Sequence, residues 1–291
     1  MQLLHMAADF GSHDITKFLL DHMVESTDAQ DIWGRTPLHF AAAGGVVSVV
    51  GLLTDASANI DIRCRPELRA WTPLHMAVAH NRRRVIPMLA GDGMDWAMWE
   101  DSLDMTPIEV AADYGLKDMV ALLLIKHPDI LDAEDGKGRR PLSNAAERAG
   151  AETVKFLLAH EAVDVNARDD AGRTALSYAA GGGKLSIARL LLAQGGIDAN
   201  VADEERRTAL MYAAEQGYKE IARLLLDHPG VDIDAEDDKG RSALDWARVS
   251  RRRGTMDLIR QKKAKQVGST EVLESKIQGE LRRGTEEAKT C

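Results

Sequence analysis

Apolar residues recur along the chain with the spacing of helices. Residues 187–192 read Ile-Ala-Arg-Leu-Leu-Leu, and residues 221–226 repeat the same six letters. An isoleucine followed three and four positions later by leucine forms one apolar stripe on a helix, and the arginine between them points to water. A shorter segment with an alanine pair, such as Ala179 and Ala180, precedes each stripe. The pattern therefore predicts pairs of helices, of which the first is thin enough for close packing.

The same phrase introduces each helix pair. Thr36-Pro37-Leu38-His39 returns almost unchanged at Thr72, and Thr174 and Thr208 head weaker copies 34 residues apart. Threonine suits a helix N-cap, proline suits the first helical position, and a glycine soon afterwards suits the helix end. A fixed period of this length predicts a stack of similar units rather than one globular core.

The turn, the Thr-Pro-Leu-His-x-Ala-Ala phrase, the glycine and the leucine-ended second helix together resemble the ankyrin repeat. The resemblance covers residues 2 to about 265. It implies an all-α, helix-turn-helix solenoid of about eight repeats with short β-turn or hairpin fingers. The predicted repeats lie near 1–30, 31–65, 66–100, 101–134, 135–168, 169–202, 203–236 and 237–265. Residues 266–291 form a charged tail, for which an amphipathic helix and disorder are the two alternatives.

Several copies depart from the ankyrin pattern. The substituted positions predict altered turn geometry within residues 66–104 and weaker hydrogen bonding between repeats. Turn or helix-ending glycines are replaced by Ala70, Asn81 and Asp104, and the motif histidine is replaced by Glu109, Ser143, Ser177 and Met211.

The net charge argues against some classes of partner, and the cysteine content argues against disulfide and zinc sites. A formal net charge of -9 argues against nucleic acid and against polybasic membrane docking. The two cysteines, Cys64 and Cys291, are too few for a disulfide framework or a tetrahedral zinc site. We therefore expect a monomer of the cytoplasm or nucleus. Leu3, Leu4 and Met6 lack an upstream repeat, so the first repeat is a piece of a longer array, a fraying end or a packing surface.

Sequence motifs of enzymes are absent, but residues 91–101 combine acids with two tryptophans. One hypothesis is an enzyme on a solenoid scaffold, with carboxylates acting as acid and base. The alternative is a degenerate return loop whose tryptophans cover a seam. No cofactor and no metal are predicted. The candidate carboxylates are Asp92, Asp95, Glu100, Asp101 and Asp104.

The leading prediction is a protein-protein interaction module. The ankyrin resemblance implies that a protein or peptide binds the concave surface formed by the turn tips and first helices. Repeats 2 to 5 place Trp, Tyr, Met and Arg there, which are frequent in binding hot spots. Besides the enzyme, the other alternative is the ankyrin segment of a larger sensor or signalling protein. The predicted partner-binding residues are Trp33, Arg35, Arg69, Trp71, His80, Leu103, Met105, Tyr114, Arg139 and Arg148.

Overall fold

A computed structural model describes residues 2–22, 26–90, 105–126, 128–148 and 150–265. The chain divides into two compact units, Met1–Ala175 and Leu176–Cys291. The predicted repeat boundaries stay predictions, and the tail at 266–291 lies outside the described residues.

The first unit consists of five helix pairs. In each pair the first helix carries at least two alanines and has more buried residues than the second. The helices are α1 (Leu3–Asp9), α2 (His13–His22), α3 (Pro37–Gly44), α4 (Val47–Asp55), α5 (Pro73–Ala79), α6 (Ile86–Leu89), α7 (Pro107–Asp113), α8 (Lys117–Lys126), α9 (Pro141–Arg148) and α10 (Ala151–Leu157). Short 3-10 segments lie at Pro66–Leu68, Arg83–Val85 and Pro128–Asp132.

The second unit has the same arrangement. Its helices are α11 (Ala175–Gly181), which begins at the last residue of the first unit, α12 (Leu185–Leu192), α13 (Ala209–Gln216), α14 (Lys219–Asp227), α15 (Ala243–Val249) and α16 (253–265). The described ranges thus hold eight helix pairs and no β-strand, which confirms the predicted all-α fold. The hairpin fingers are turns, with one isolated bridge between Glu236 and Ser242.

Local chemistry explains where the first helices begin and end. In α3 the backbone N–H of Thr36 donates to Nδ1 of His39 at 3.1 Å, and Pro37 takes the first helical position, where no N–H partner is needed. The helix ends at Gly45, whose φ of 72° is left-handed. Asn81, which stands where sister repeats have this glycine, takes a φ of 56°.

Aspartates fix the turns that precede the first helices. Oδ1 of Asp31 accepts the backbone N–H groups of Trp33 at 2.9 Å and Arg35 at 2.8 Å. Its Oδ2 accepts from Nε of Arg35 at 2.9 Å. Repeat 3 has Glu67 and Trp71 at the positions of this aspartate and arginine, and its turn contains a 3-10 segment instead.

Candidate functional site

Four of the ten predicted partner-binding residues line one cleft in the first unit. The cleft lies between α3 and α5, and its volume is about 600 Å³. The four predicted residues are Arg35, Arg69, Trp71 and His80. The other lining residues are Asp9, His39, Phe40, Ala43, Glu67, Leu68 and Met76.

Large apolar side chains give the cleft its floor. Trp71 has the position in repeat 3 that Arg35 has in the turn of repeat 2. Only 8% of its surface is exposed. Its backbone is held from two sides, because its carbonyl accepts from Nε2 of His39 and from the N–H of Cys64, both at 2.9 Å. Phe40 and Met76 occupy equivalent positions on α3 and α5, four residues after the motif threonines. The floor is therefore apolar, and the backbone of Trp71 is fixed by two hydrogen bonds.

Two arginines border this floor in different ways. The guanidinium of Arg35 lies 4.3 Å above the ring centre of Phe40 and 2.7 Å from Oδ2 of Asp31. Burial disfavours ionisation of Asp31, but the hydrogen bonds from Arg35 and Trp33 outweigh it and lower the pKa of this carboxyl. The carboxylate thus stays charged and holds Arg35 in place.

Arg69 reaches the cleft from the unusual turn of repeat 3. Arg69 and Ala70 have φ values of 69° and 52°, although neither is glycine. This is the altered turn geometry that the missing glycine predicts. The Arg69 guanidinium lies 5.2 Å from the ring centre of Trp71 and 3.3 Å from the sulfur of Met105. With Asp9 and Glu67 also lining the cleft, charges of both signs surround an apolar floor.

Other predicted contact residues lie exposed elsewhere in the first unit. Trp33 at a turn tip is 43% exposed, and Tyr114 at the end of α7 is 49% exposed. Arg148 is exposed too and pairs with Asp113, with Nε 3.1 Å from Oδ1. Burial raises the pKa of Asp113, and the charge of Arg148 partly offsets this effect. Leu103 lies outside the described residues.

Besides Trp71, two more predicted contact residues are buried. Met105 is 2% exposed and Arg139 is 6% exposed. Arg139 binds Asp135 and Glu147, each at 2.7 Å. Both side chains are therefore too buried to contact a partner directly. They would affect binding only through the residues that they contact.

The repeated helix pairs, the capped first helices and the aspartate turns agree with a comparison to known families. A model described as "Ankyrin repeats (3 copies)" matches residues 4–98, 108–203 and 195–269. The chain is an ankyrin-repeat protein. The predicted resemblance is thereby confirmed.

Two known proteins show what this ankyrin-repeat chain is similar to. The crystal structure of the ankyrin repeat domain of Bcl-3, "a unique member of the IkappaB protein family", matches with a TM-score of 0.65 and 29% identity, covering 77% of this chain and 98% of that one. The tyrosine-protein kinase Shark of Drosophila melanogaster is 34% identical over 86 residues, or 30% of this chain. The matched part spans only 9% of that kinase.

Some residues of the cleft were not among those predicted from the ankyrin pattern. Phe40 and Met76 are two of these residues. A signal for both of them was present in the sequence, because Met6, Phe40 and Met76 put a large apolar residue at the same position of the first three repeats. Phe10, at the end of α1, is 79% exposed and was also missed.

The residues proposed for catalysis, Asp92, Asp95, Glu100, Asp101 and Asp104, lie outside the described residues, so the enzyme hypothesis stays a prediction. Within the described ranges, no cluster of three or more His, Cys, Asp or Glu could hold a metal ion. No helix there is long and apolar enough to cross a membrane.

Proposed function

We propose that this ankyrin-repeat protein binds a protein or peptide partner on one face of its first unit, centred on the cleft between α3 and α5. The volume of the cleft and the residues that line it support this proposal most. About 600 Å³ accommodates more than one side chain, and the floor of Phe40, Trp71 and Met76 is apolar. Aromatic and arginine side chains of this kind dominate measured binding energies.

The cleft suits a segment that inserts a large apolar side chain and carries charges on both sides of it. Arg35 and Arg69 would meet acidic groups of the partner, and Asp9 and Glu67 would meet basic ones. The floor is already held in place by the bonds of His39 and Asp31, so binding requires little further ordering. We also propose that the protein is a monomer of the cytoplasm or nucleus.

The test is capture from a cell extract followed by titration of the purified partner, with single variants of exposed residues. His80→Ala removes a side chain that lines the cleft, and Trp33→Ala and Tyr114→Ala remove exposed side chains that we assign to the same face. Trp71 is unsuitable, because truncating a buried tryptophan costs about 3–5 kcal/mol of stability. We expect at least one variant to weaken binding by about tenfold or more.

The matched control is Ile125→Ala on α8, because this side chain is 77% exposed and does not line the cleft. Circular dichroism checks that all variants are folded. A partner whose affinity drops with Ile125→Ala, and is unchanged in the three face variants, would place the binding surface elsewhere and overturn the proposal.

A further inference from the structure

A carboxyl group replaces the histidine that joins neighbouring repeats. In repeats 1, 2 and 3 the third residue of the first helix is His5, His39 or His75. Their Nε2 atoms lie 2.9, 2.9 and 3.1 Å from the carbonyl oxygens of Arg35, Trp71 and Met105 in the following repeat. A carbonyl only accepts, so each Nε2 carries the proton and donates it across the junction.

Glu109 has the same place on α7 and reproduces one half of this arrangement. Its Oε2 accepts from the backbone N–H of Thr106 at 2.6 Å and from the Thr106 hydroxyl at 2.7 Å. Nδ1 of His39 receives the same backbone N–H bond from Thr36. The cap of α7 is therefore intact.

The other half of the arrangement is missing. Oε1 of Glu109 is buried and has no hydrogen-bond partner. The step from His5 to Arg35 and from His75 to Met105 is 30 residues, and that from His39 to Trp71 is 32 because repeat 2 is longer. By this register the carbonyl equivalent to these for Glu109 is that of Arg139. Like the Arg35 carbonyl, which accepts from the N–H of Asp31, the Arg139 carbonyl accepts from the N–H of Asp135. An ionised Oε1 would put two acceptors against each other in a buried junction.

We propose that Glu109 is a neutral carboxylic acid that donates its Oε1–H to the Arg139 carbonyl, and that releasing this proton to solvent in mildly alkaline solution weakens the junction between repeats 4 and 5. A protonated carboxyl supplies one acceptor and one donor, as the histidine does. The pair α7 and α9 forms this junction. The proton thus replaces the donor that the histidine supplies in repeats 1 to 3.

The surrounding groups agree with a neutral acid. Burial raises the pKa of Glu109 to about 8, with the two bonds from Thr106 acting against it. The negative charge of Asp135 raises this pKa further, and the charge of Arg139 lowers it. On the neighbouring first helices, α5 carries His75, and α9 carries Glu147 and Arg148. α8 presents the buried Met119 and Val120, while its Lys117 and Asp118 are less buried.

The sign of the effect follows from proton binding. Between the ordinary pKa of 4.5 and the folded-state value of about 8, the folded chain holds a proton that the unfolded chain has lost. Stability from this group is therefore complete at acidic pH and falls as the pH rises towards 8. Between pH 6 and pH 9 the unfolding equilibrium constant should rise by about a hundredfold through Glu109 alone.

The experiment compares urea unfolding of the full chain and its Glu109→Gln variant at pH 6 and pH 9. Glutamine keeps one acceptor and one donor but does not titrate. Over this range we expect the unfolding equilibrium constant of the parent to rise about a hundredfold more than that of the variant. Glu152→Gln on α10 is the matched control, since this carboxyl is exposed, and it should behave as the parent does.

Infrared spectroscopy of the parent gives a second readout that does not depend on the variant folding. A protonated-carboxyl band should be present at pH 7, disappear above pH 8, and persist in Glu152→Gln. Parallel pH profiles of the parent and Glu109→Gln, or an absent band at pH 7, would overturn the proposal.

Discussion

Acidic pH should lower the stability of the first unit because it protonates one buried histidine, His39. Its Nδ1 accepts from the backbone N–H of Thr36 at 3.1 Å, and its Nε2 donates to the Trp71 carbonyl at 2.9 Å. Protonation would place an N–H on Nδ1 where it already receives one, so the cap of α3 would be broken. Burial lowers the pKa of His39 to about 4, although the Trp71 carbonyl opposes the shift.

The magnitude follows from the two pKa values. The unfolded chain takes up a proton near the ordinary value of 6.5, and the folded chain does so only near 4. The folded-state pKa is depressed, so the stabilisation is complete above pH 6.5 and falls as the pH drops towards 4. Through His39 alone, the free energy of unfolding should decrease by about 2 kcal/mol between pH 7 and pH 5, and by about 3 kcal/mol at pH 4.

The assay is urea unfolding followed by circular dichroism at pH 7 and pH 5, where most carboxylates are still ionised. His39→Gln retains an acceptor and a donor without a titrating ring, so this variant should lose about 2 kcal/mol less than the parent. His13→Gln, on the exposed start of α2, is the control and should match the parent. If His39→Gln and the parent lose stability equally, the reasoning about this junction is refuted.

Two further predictions concern backbone and turn geometry. Gly45→Ala should lower stability to thermal unfolding by more than about 1 kcal/mol, because the φ of Gly45 is 72° and a Cβ there would lie 2.7 Å from Cδ of Arg82. Gly195→Ala is the comparison, since a Cβ at Gly195 would have no atom within 4 Å. Asp237→Ala should cost about 1–3 kcal/mol, because the buried indole N–H of Trp246 and the partly exposed guanidinium of Arg241 lose their acceptor. Asp238→Ala, at an exposed carboxylate, should have little effect on the melting temperature.

The helices could be predicted from the sequence because their signals are local. Thr36 and Pro37 fix the start of α3, and Gly45 fixes its end, within one segment of chain. The unusual turn of repeat 3 was also predictable, since Ala70 occupies a position where a left-handed φ is required. Such features depend on a residue and its immediate neighbours, and a period of 34 residues makes each of them visible several times.

The cleft was less predictable, because it depends on side-chain size and on contacts between repeats. Trp71 was expected on the surface from its position before Thr72, yet only 8% of its surface is exposed. Met105 is buried at the corresponding position of the next repeat. The position of a residue within its repeat predicts which face of the stack its side chain can reach. Whether that side chain is buried depends on the residues of the neighbouring repeat.

The replaced histidines give one position two opposite responses to pH. A histidine at the third helical residue must be neutral so that its Nδ1 can accept the cap N–H, so burial moves its pKa down and acid weakens the cap, as at His39. A carboxyl at the same place must also be neutral to donate, but burial moves the pKa of Glu109 up, and alkali weakens the contact. Both junctions lie within the first unit. Its stability therefore responds to pH in opposite directions through a single repeated position, and the substitution of one motif residue decides the direction.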